Sequence, residues 1–301
     1  MSLLKENENV VLFKVKDEMT VEEVLFNYNI SSRLFRKLKR QKAIFLNGKT
    51  VKNTSIASVG DIISIFMEDE IDDTVPEPIP LDIIYEDYDL LIINKKPNMV
   101  VHPTKSHQRG TISNGISYYY KEKNIKKKIR FVNRLDMDTS GVLIVAKNSF
   151  SHQQLAIQFQ ENSVIKKYIA IIEGLVENNN DIIDLPIGRE EDKSVKKVVT
   201  DDGKKAITEY NVLEKYKNAT LLEVQIYTGR SHQIRVHLNH IGHPIIGDAL
   251  YNKPSEYIVR QALHASYIKF KHPRTQEDME FIAPLPEDMT KLISILKDPK
   301  N

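Results

Sequence analysis

Thirteen residues decide how this chain can be divided. Glu68-Asp-Glu-Ile-Asp-Asp-Thr-Val-Pro-Glu-Pro-Ile-Pro80 holds three prolines, and residues 68–82 carry seven acids and no base. Like charges extend such a stretch, while proline removes backbone donors and bars regular structure. No helix or sheet strand is expected to run through it. The spacing therefore predicts a linker over 68–80, a small unit over 1–67 and a large one over 81–301. A semi-rigid tether of this kind holds two modules apart yet within reach of one substrate, which raises avidity without any new contact. A length of 301 residues suits that division.

The charge is also divided. Net charge is only +2, but residues 1–67 carry 11 Lys and Arg against 7 acids, and residues 83–301 carry 32 against 27. Segregated cations say more about partners than the total does, and they point toward nucleic acid. With 41% hydrophobic and 28% charged residues the composition is that of an ordinary soluble globular protein. No apolar run approaches the ~18 residues of a membrane span, and no secretory signal opens the chain. The absence of cysteine excludes disulfides and thiolate metal sites and fits a cytoplasmic location.

Within the first unit, Val10–Val15 reads as a strand, and Thr20 with Glu23 reads as a capping box opening a helix. Ser31–Lys42 reads as a second helix. Leu34, Phe35 and Leu38 share one side of it, and Arg33, Arg36, Lys37, Arg40 and Lys42 make a basic face. A hairpin with Asn47-Gly48 at its turn follows, then a turn at Val59-Gly60-Asp61 and the strand Ile62–Phe66. Cations gathered on one face suit phosphate contacts that position a polynucleotide without reading its sequence. A solvated surface helix is the plainer alternative. The order helix, basic helix, Asn-Gly hairpin and Gly-Asp strand resembles an S4 RNA-binding domain over about residues 17–67. That resemblance implies RNA contacts from Arg33, Arg36, Lys37, Arg40, Lys42 and Asn47.

In the second unit, Ile83–Tyr85 and Leu90–Ile93 read as a strand pair, and Gly110-Thr111 leads into a helix. Arg130-Phe-Val-Asn-Arg-Leu-Asp-Met-Asp-Thr-Ser-Gly-Val-Leu-Ile-Val-Ala-Lys147 reads as strand, tight turn, strand. Gly141 is free to take φ > 0 where the chain reverses. The turn lifts Asp136 to a sheet rim with the guanidinium of Arg134 two residues before it, where a carboxylate can act as nucleophile or base. A self-capped hairpin is the plain reading of the same residues. Phe150–Phe159 reads as an amphipathic helix capped by Ser149, and Lys166–Glu173 as a strand ending at Gly174. His232, His237, His240 and His243 raise the question of a metal, as do His102 and His107. No glutamate sits among the first four as in a zinc hydrolase helix, and no cysteine accompanies the other two.

The wording Arg134-Leu-Asp-x-x-Thr139-Ser-Gly141 resembles the signature of the RluA-type family of RNA pseudouridine synthases. Val101-His-Pro103, Lys166-x-Tyr168-x-Ala170 and Gly229-Arg-Ser-His-Gln-Ile-Arg235 extend the resemblance, as do Gly242–Tyr251 and Leu263-His-Ala265. One departure is Asn133, where the family has His, so a titratable role there is lost. The family implies an α+β fold, a large mixed and mainly antiparallel sheet with a central cleft, here preceded by the small α+β S4-like domain. It implies catalysis by Asp136, with Tyr168 against the target base and Arg235 paired to the Asp. Substrate or framework contacts then fall to Arg134, Asn133, Thr139, Arg230, His232, Gln233 and His102, with Arg230 the alternative partner for Asp136. No cofactor and no metal are implied. The partner is RNA, with large-subunit ribosomal RNA ahead of transfer RNA, and a monomer is expected. Two other readings remain: an S4-tethered RNA-binding or ribosome-assembly protein without activity, and an RNA hydrolase pairing Asp136 with a histidine.

Overall fold

The β-branched run Val142–Val145 forms the centre of a strand, Ser140–Ala146, buried along its whole length. A strand covered on both faces must be apolar at every position, because alternate side chains point to opposite sides. The computed structural model, which describes residues 5–104, 108–191 and 195–298, shows what covers it. Leu143 and Val145 join Leu91 and Ile93 of the neighbouring strand Leu90–Lys95 in a core with Ile112 and Ile116. Val142 and Ile144 join Leu90 and Ile92 on the opposite face, packed with Leu155, Phe270 and Phe281.

These strands belong to a ten-stranded sheet. Its path runs Asn180–Asp184, Ile207–Lys215, Ala219–Ile226, Ile165–Glu173, Leu263–Lys271, Ser140–Ala146, Leu90–Lys95, Ile83–Glu86. Asp278–Ile282 pairs beside Leu263–Lys271, and Arg130–Phe131 beside Ser140–Ala146. Every pairing is antiparallel except one: Ser140 and Gly141 run parallel to His264 and Ala265. This short junction joins the two halves of the sheet. Gly141 has φ +114°, and a Cβ there would sit 2.1 Å from the carbonyl oxygen of Ala265. Only glycine allows the two backbones to meet.

Six helices complete the described chain: α1 (Val21–Asn27), α2 (Ser32–Arg40), α3 (Ile112–Glu122), α4 (Ser149–Gln160), α5 (Gln233–His240) and α6 (Glu287–Leu296). Thr20 and Glu23 form the expected capping box of α1. Asn47 and Gly48 both take positive φ, as their hairpin turn demands. Asn148, rather than Ser149, caps α4, its side chain accepting from the Ser151 amide. That helix is also less amphipathic than its sequence suggests, since Ser151 and Gln154 are buried with Phe150 and Leu155. Ser151 donates to Asp89, and Gln154 donates to the Tyr28 carbonyl, so the polar groups are satisfied.

The N-terminal residues build a second sheet, ordered Val10–Lys14, Ile62–Phe66, Ile44–Leu46, Lys49–Thr50, with α1 and α2 closing its core. Residues 68–80 form no strand or helix, as expected, yet they are not a free spacer. The carboxylate of Asp72 accepts from the Ile129 amide, the Thr74 carbonyl accepts from Ser117, and Glu70 pairs with both Lys37 and Arg130. Hydrogen bonds along its length fix the segment to the large sheet's periphery. Phe150 of α4 enters the N-terminal core and meets Phe13 edge-on at 5.8 Å.

Candidate active site

Asp136 lies in the turn between Phe131 and Ser140, its side chain about one-third exposed. Two buried cations hold this turn from behind. Lys95 Nζ donates to the carbonyl of Met137 at 2.7 Å, and Arg260 Nη1 donates to that of Asp138 at 3.0 Å. The Thr139 amide closes the turn on the carbonyl of Asp136 at 3.1 Å. Arg260 is itself clamped by both oxygens of Asp288, at 2.6 and 2.9 Å. Burial lowers the pKa of Lys95 to about 7, against the opposing charge of Asp138.

The guanidinium beside Asp136 is that of Arg235, with Nη1 3.0 Å from Oδ2. Arg134 makes no ion pair with Asp136 among the described residues, and its side chain is exposed. Arg230 is exposed as well and donates to the Lys205 carbonyl at 2.9 Å, so it takes no part in the pair. Arg235 sits in the first turn of α5, and its two remaining nitrogens grip Asp248 bidentately, each at 2.7 Å. Such a fork fixes the plane of the guanidinium as well as its position. Burial disfavours charge on Arg235, but Asp248 first and Asp136 second outweigh it and raise its pKa. The ring of Tyr251 lies under the guanidinium at 5.0 Å.

Tyr168 comes from the strand Ile165–Glu173 on the other side of the junction and lines the same cleft as Asp136. The open part of this cleft has a volume of about 710 Å3, with a recess of about 60 Å3 between Asp136, Tyr168, Arg235 and Leu263. The hydroxyl of Tyr168 makes no hydrogen bond among the described residues and is left for the cleft. Burial, helped by the charge of Asp136, raises its pKa and keeps it a neutral phenol. His232 holds a left-handed conformation, φ 58°, just before α5. Its Nε2 lies 4.0 Å from Asp136, and its Nδ1 is hydrogen-bonded to the Tyr251 hydroxyl at 2.9 Å. Burial lowers its pKa despite Asp136.

The other expected contacts separate into two groups. Arg134, Thr139, Arg230 and His232 line the cleft with Asp136. Gln233 also borders it, but its amide is consumed by the framework: Oε1 accepts from Thr228 and the Arg230 amide, and Nε2 donates to Ile207 and Thr208. Asn133 also borders the cleft, and its amide is likewise engaged by the framework. Its amide donates to the Val142 carbonyl and accepts from the Ile144 amide, bridging strand backbone. His102 lies outside the cleft lining, edge-on to Phe131 at 4.5 Å. His107 is outside the described residues. Both ring nitrogens of His237 are engaged, by Thr208 and the Leu185 carbonyl.

In the N-terminal part, Arg33, Arg36, Lys37 and Arg40 line one groove. Lys42 lies beyond the end of α2 with φ 53° and does not line it. Asn47 is exposed, but its side-chain amide is engaged within the chain, donating to Asp61 and accepting from the Ile62 amide. The sequence reading missed Asp248, Tyr251, Lys166 and Lys95. The first two stood in the Gly247-Asp-Ala-Leu-Tyr251 stretch, where an acid followed at i+3 by an aromatic was the available signal. Lys166 lines the cleft, is 7% exposed, and places its ammonium 5.4 Å from the Phe159 ring. Nothing in the sequence marked Lys95 from its neighbour Lys96.

Comparison with known proteins identifies the family. Residues 89–240 match the RNA pseudouridylate synthase family. The chain is 40% identical, over 91% of its own length and 98% of the relative's, to the uncharacterized RNA pseudouridine synthase YjbO of Bacillus subtilis. It is 38% identical to ribosomal large subunit pseudouridine synthase D of Blochmanniella floridana, over 89% of this chain and 93% of that one. The solved structure of human RNA pseudouridylate synthase domain containing 1 superposes with a TM-score of 0.58 at 25% identity, over 74% of this chain and 96% of that chain. The two-part sheet, its single parallel junction and the likeness along nearly the whole chain lead to one conclusion: this protein belongs to the RluA-type RNA pseudouridine synthases and is an isomerase acting on RNA.

Proposed function

We propose that the enzyme converts specific uridines of ribosomal RNA, the large-subunit RNA ahead of transfer RNA, with Asp136, Tyr168 and Arg235 as its catalytic residues. The observation that carries the assignment is the Asp136–Arg235–Asp248 chain, in which one fixed guanidinium aims a cleft-facing carboxylate. Asp136 acts at the ribose, either attacking C1′ or removing the 2′ proton, and the glycosidic bond to N1 breaks. The freed uracil turns and rejoins through C5, which then loses its proton. Tyr168 stacks on the uracil and offers its hydroxyl during that proton loss. A stacked base hides its glycosidic face, so the target nucleotide leaves its stack, and Arg134 helps fill the space it vacates. Arg230, His232 and Thr139 border the bound nucleotide.

Residues 1–67 serve in this reading as an S4-like RNA-binding domain, 68–80 as the bound connector and 81–301 as the catalytic domain. The basic side of α2 supports it. The preference for ribosomal RNA rests on several relatives named ribosomal large subunit pseudouridine synthase D, at 36–38% identity. Among the described residues no helix is long and apolar enough to cross a membrane. The lack of cysteine fits work in the cytoplasm.

The test is a pseudouridine map of bulk cellular RNA, made with and without this protein by carbodiimide-dependent reverse-transcription stops. Stops lost without the protein, and restored by wild type but not by Asp136→Asn, give activity and substrate together. An unchanged map, with purified protein inactive on uridine transcripts, would instead favour a non-catalytic RNA-binding protein.

A further inference from the structure

A groove of about 860 Å3 lies between α2 and α4, away from the catalytic cleft. Its cations come from both parts of the chain: Arg33, Arg36, Lys37 and Arg40 from α2, Lys128 and Arg130 from the approach to the active-site turn. Glu70 is the one acid of its lining, and it is already engaged by Lys37 and Arg130. The remaining four cations have no acidic partner among the described residues, and all four are exposed. Arg36 bonds only the Ser32 carbonyl of its own helix, at 3.0 Å. No Phe, Tyr or Trp lines the groove, and His152 is the one ring in its lining, so charge outweighs stacking there.

The two walls are fixed to each other. Gln153 of α4 accepts from the Ser31 amide at 3.1 Å and donates to the Asn29 carbonyl, and Gln154 donates to that of Tyr28 at 3.0 Å. One face of α4 also joins the groove to the cleft. Ser149, His152, Gln153 and Ala156 line the first, and Phe159 and Gln160 line the second. Those positions follow the three-and-four spacing of a single helix face. Ala156 and Phe159 are one turn apart, about 4.5 Å along the axis at 1.5 Å per residue. The Arg130–Asp136 segment makes the same connection, with Arg130 in the groove and Val132 to Asp136 in the cleft.

We propose that this groove is a composite backbone track, seating phosphates of the RNA strand that flanks the target uridine and leading that strand along α4 into the catalytic cleft. The proposal rests on the reading of α2 as RNA-binding and adds that the catalytic part supplies half of the same site. A charged groove that follows a backbone and makes no base contacts binds a single strand without sequence preference. The N-terminal part then acts in register with the active site, as one wall of a continuous path.

The test is the salt dependence of binding to polyuridylate, read by fluorescence anisotropy, for single exposed-residue variants of the full chain. Arg40→Gln and Lys128→Gln should each reduce the slope of log affinity against log salt by about 0.7, the loss for one contacted phosphate on a single strand. The double variant should lose both. Lys217→Gln, an exposed lysine in a different cleft beside α6, should leave the slope unchanged. If Arg40→Gln lowers the slope and Lys128→Gln does not, the shared track is wrong while RNA binding by α2 stands. If neither lowers it, both fall. An equal drop with Lys217→Gln would reduce the effect to net charge and overturn the track. Circular dichroism melts of each variant separate lost contacts from lost folding.

Discussion

Arg235 touches Asp136 with one nitrogen and Asp248 with the other two, so the carboxylate in the cleft is aimed by one that water does not reach. Asp248 is fully buried, and its Oδ1 also accepts from the amides of Leu250 and Tyr251. The direction of the Asp136–Arg235 pair is thereby set by the backbone after α5. Replacing Arg235 with Lys keeps a charge but loses the fork, since one ammonium cannot present two carboxylates with the same geometry. Turnover by Arg235→Lys should fall about a hundred-fold or more, the cost of slight misplacement of a reacting group. A variant with wild-type kcat would remove the aiming role.

Asp248→Asn leaves the buried Arg235 without its counter-charge. Removing one partner of a buried pair costs about 3–5 kcal/mol. Urea unfolding should show that loss, and unchanged stability would mean that Asp136 alone compensates Arg235.

Asp136→Asn removes the proposed catalytic carboxylate while keeping its size and a weak hydrogen bond to Arg235. Single-turnover rates should drop by about a hundred- to ten-thousand-fold, the range for loss of a positioned acid or base. RNA affinity should stay within a factor of a few, because the cations that meet phosphate are untouched. Retained turnover would exclude Asp136 from the chemistry.

Gly141→Ala would force a methyl group into the carbonyl of Ala265 and hold a left-handed φ of +114° with a side chain. Strain and overpacking together should destabilise by about 3 kcal/mol or more. The same change should slow catalysis, because the junction at Gly141 closes the turn that carries Asp136. A melting temperature equal to wild type would contradict the close approach.

Lys95 gives stability a pH dependence of definite sign. Its pKa is about 7 in the fold against an ordinary 10.5, so between those values the unfolded chain carries a proton that the folded chain lacks. Stability therefore rises with pH from 7 toward 10.5, by on the order of a few kcal/mol, and is insensitive to this group below 7. Lys95→Met should flatten that rise, as measured by unfolding at a series of pH values. An identical slope in the variant would show that Lys95 does not carry the effect.

Much of the local structure was legible because it depends on neighbours in sequence. The capping box of Thr20 and Glu23, the Asn47-Gly48 turn and the positive φ of Gly141 follow from backbone sterics and short-range hydrogen bonds. The unbroken apolar run at Val142–Val145 required a strand covered on both faces, and helices cover it. The family wording brought Asp136, Tyr168 and Arg235 together in advance, and they share one recess.

What stayed hidden depends on partners far apart in the chain. Residue spacing alone pointed to the near neighbour Arg134; only the family wording named Arg235, because the contact spans 99 positions. Asn133 and Gln233 have the polarity of substrate contacts, yet the backbone groups that consume their amides come from other strands. Lys95 and Lys96 are alike in sequence, but strand alternation sends Lys95 inward to the Met137 carbonyl. The acidic, proline-rich stretch determined that no regular element would cross 68–80. Only the tertiary structure decided that it would lie bound, because Ile129, Ser117 and Arg130 happen to present it with donors. Composition sets what a segment can form, and long-range complementarity sets what it touches.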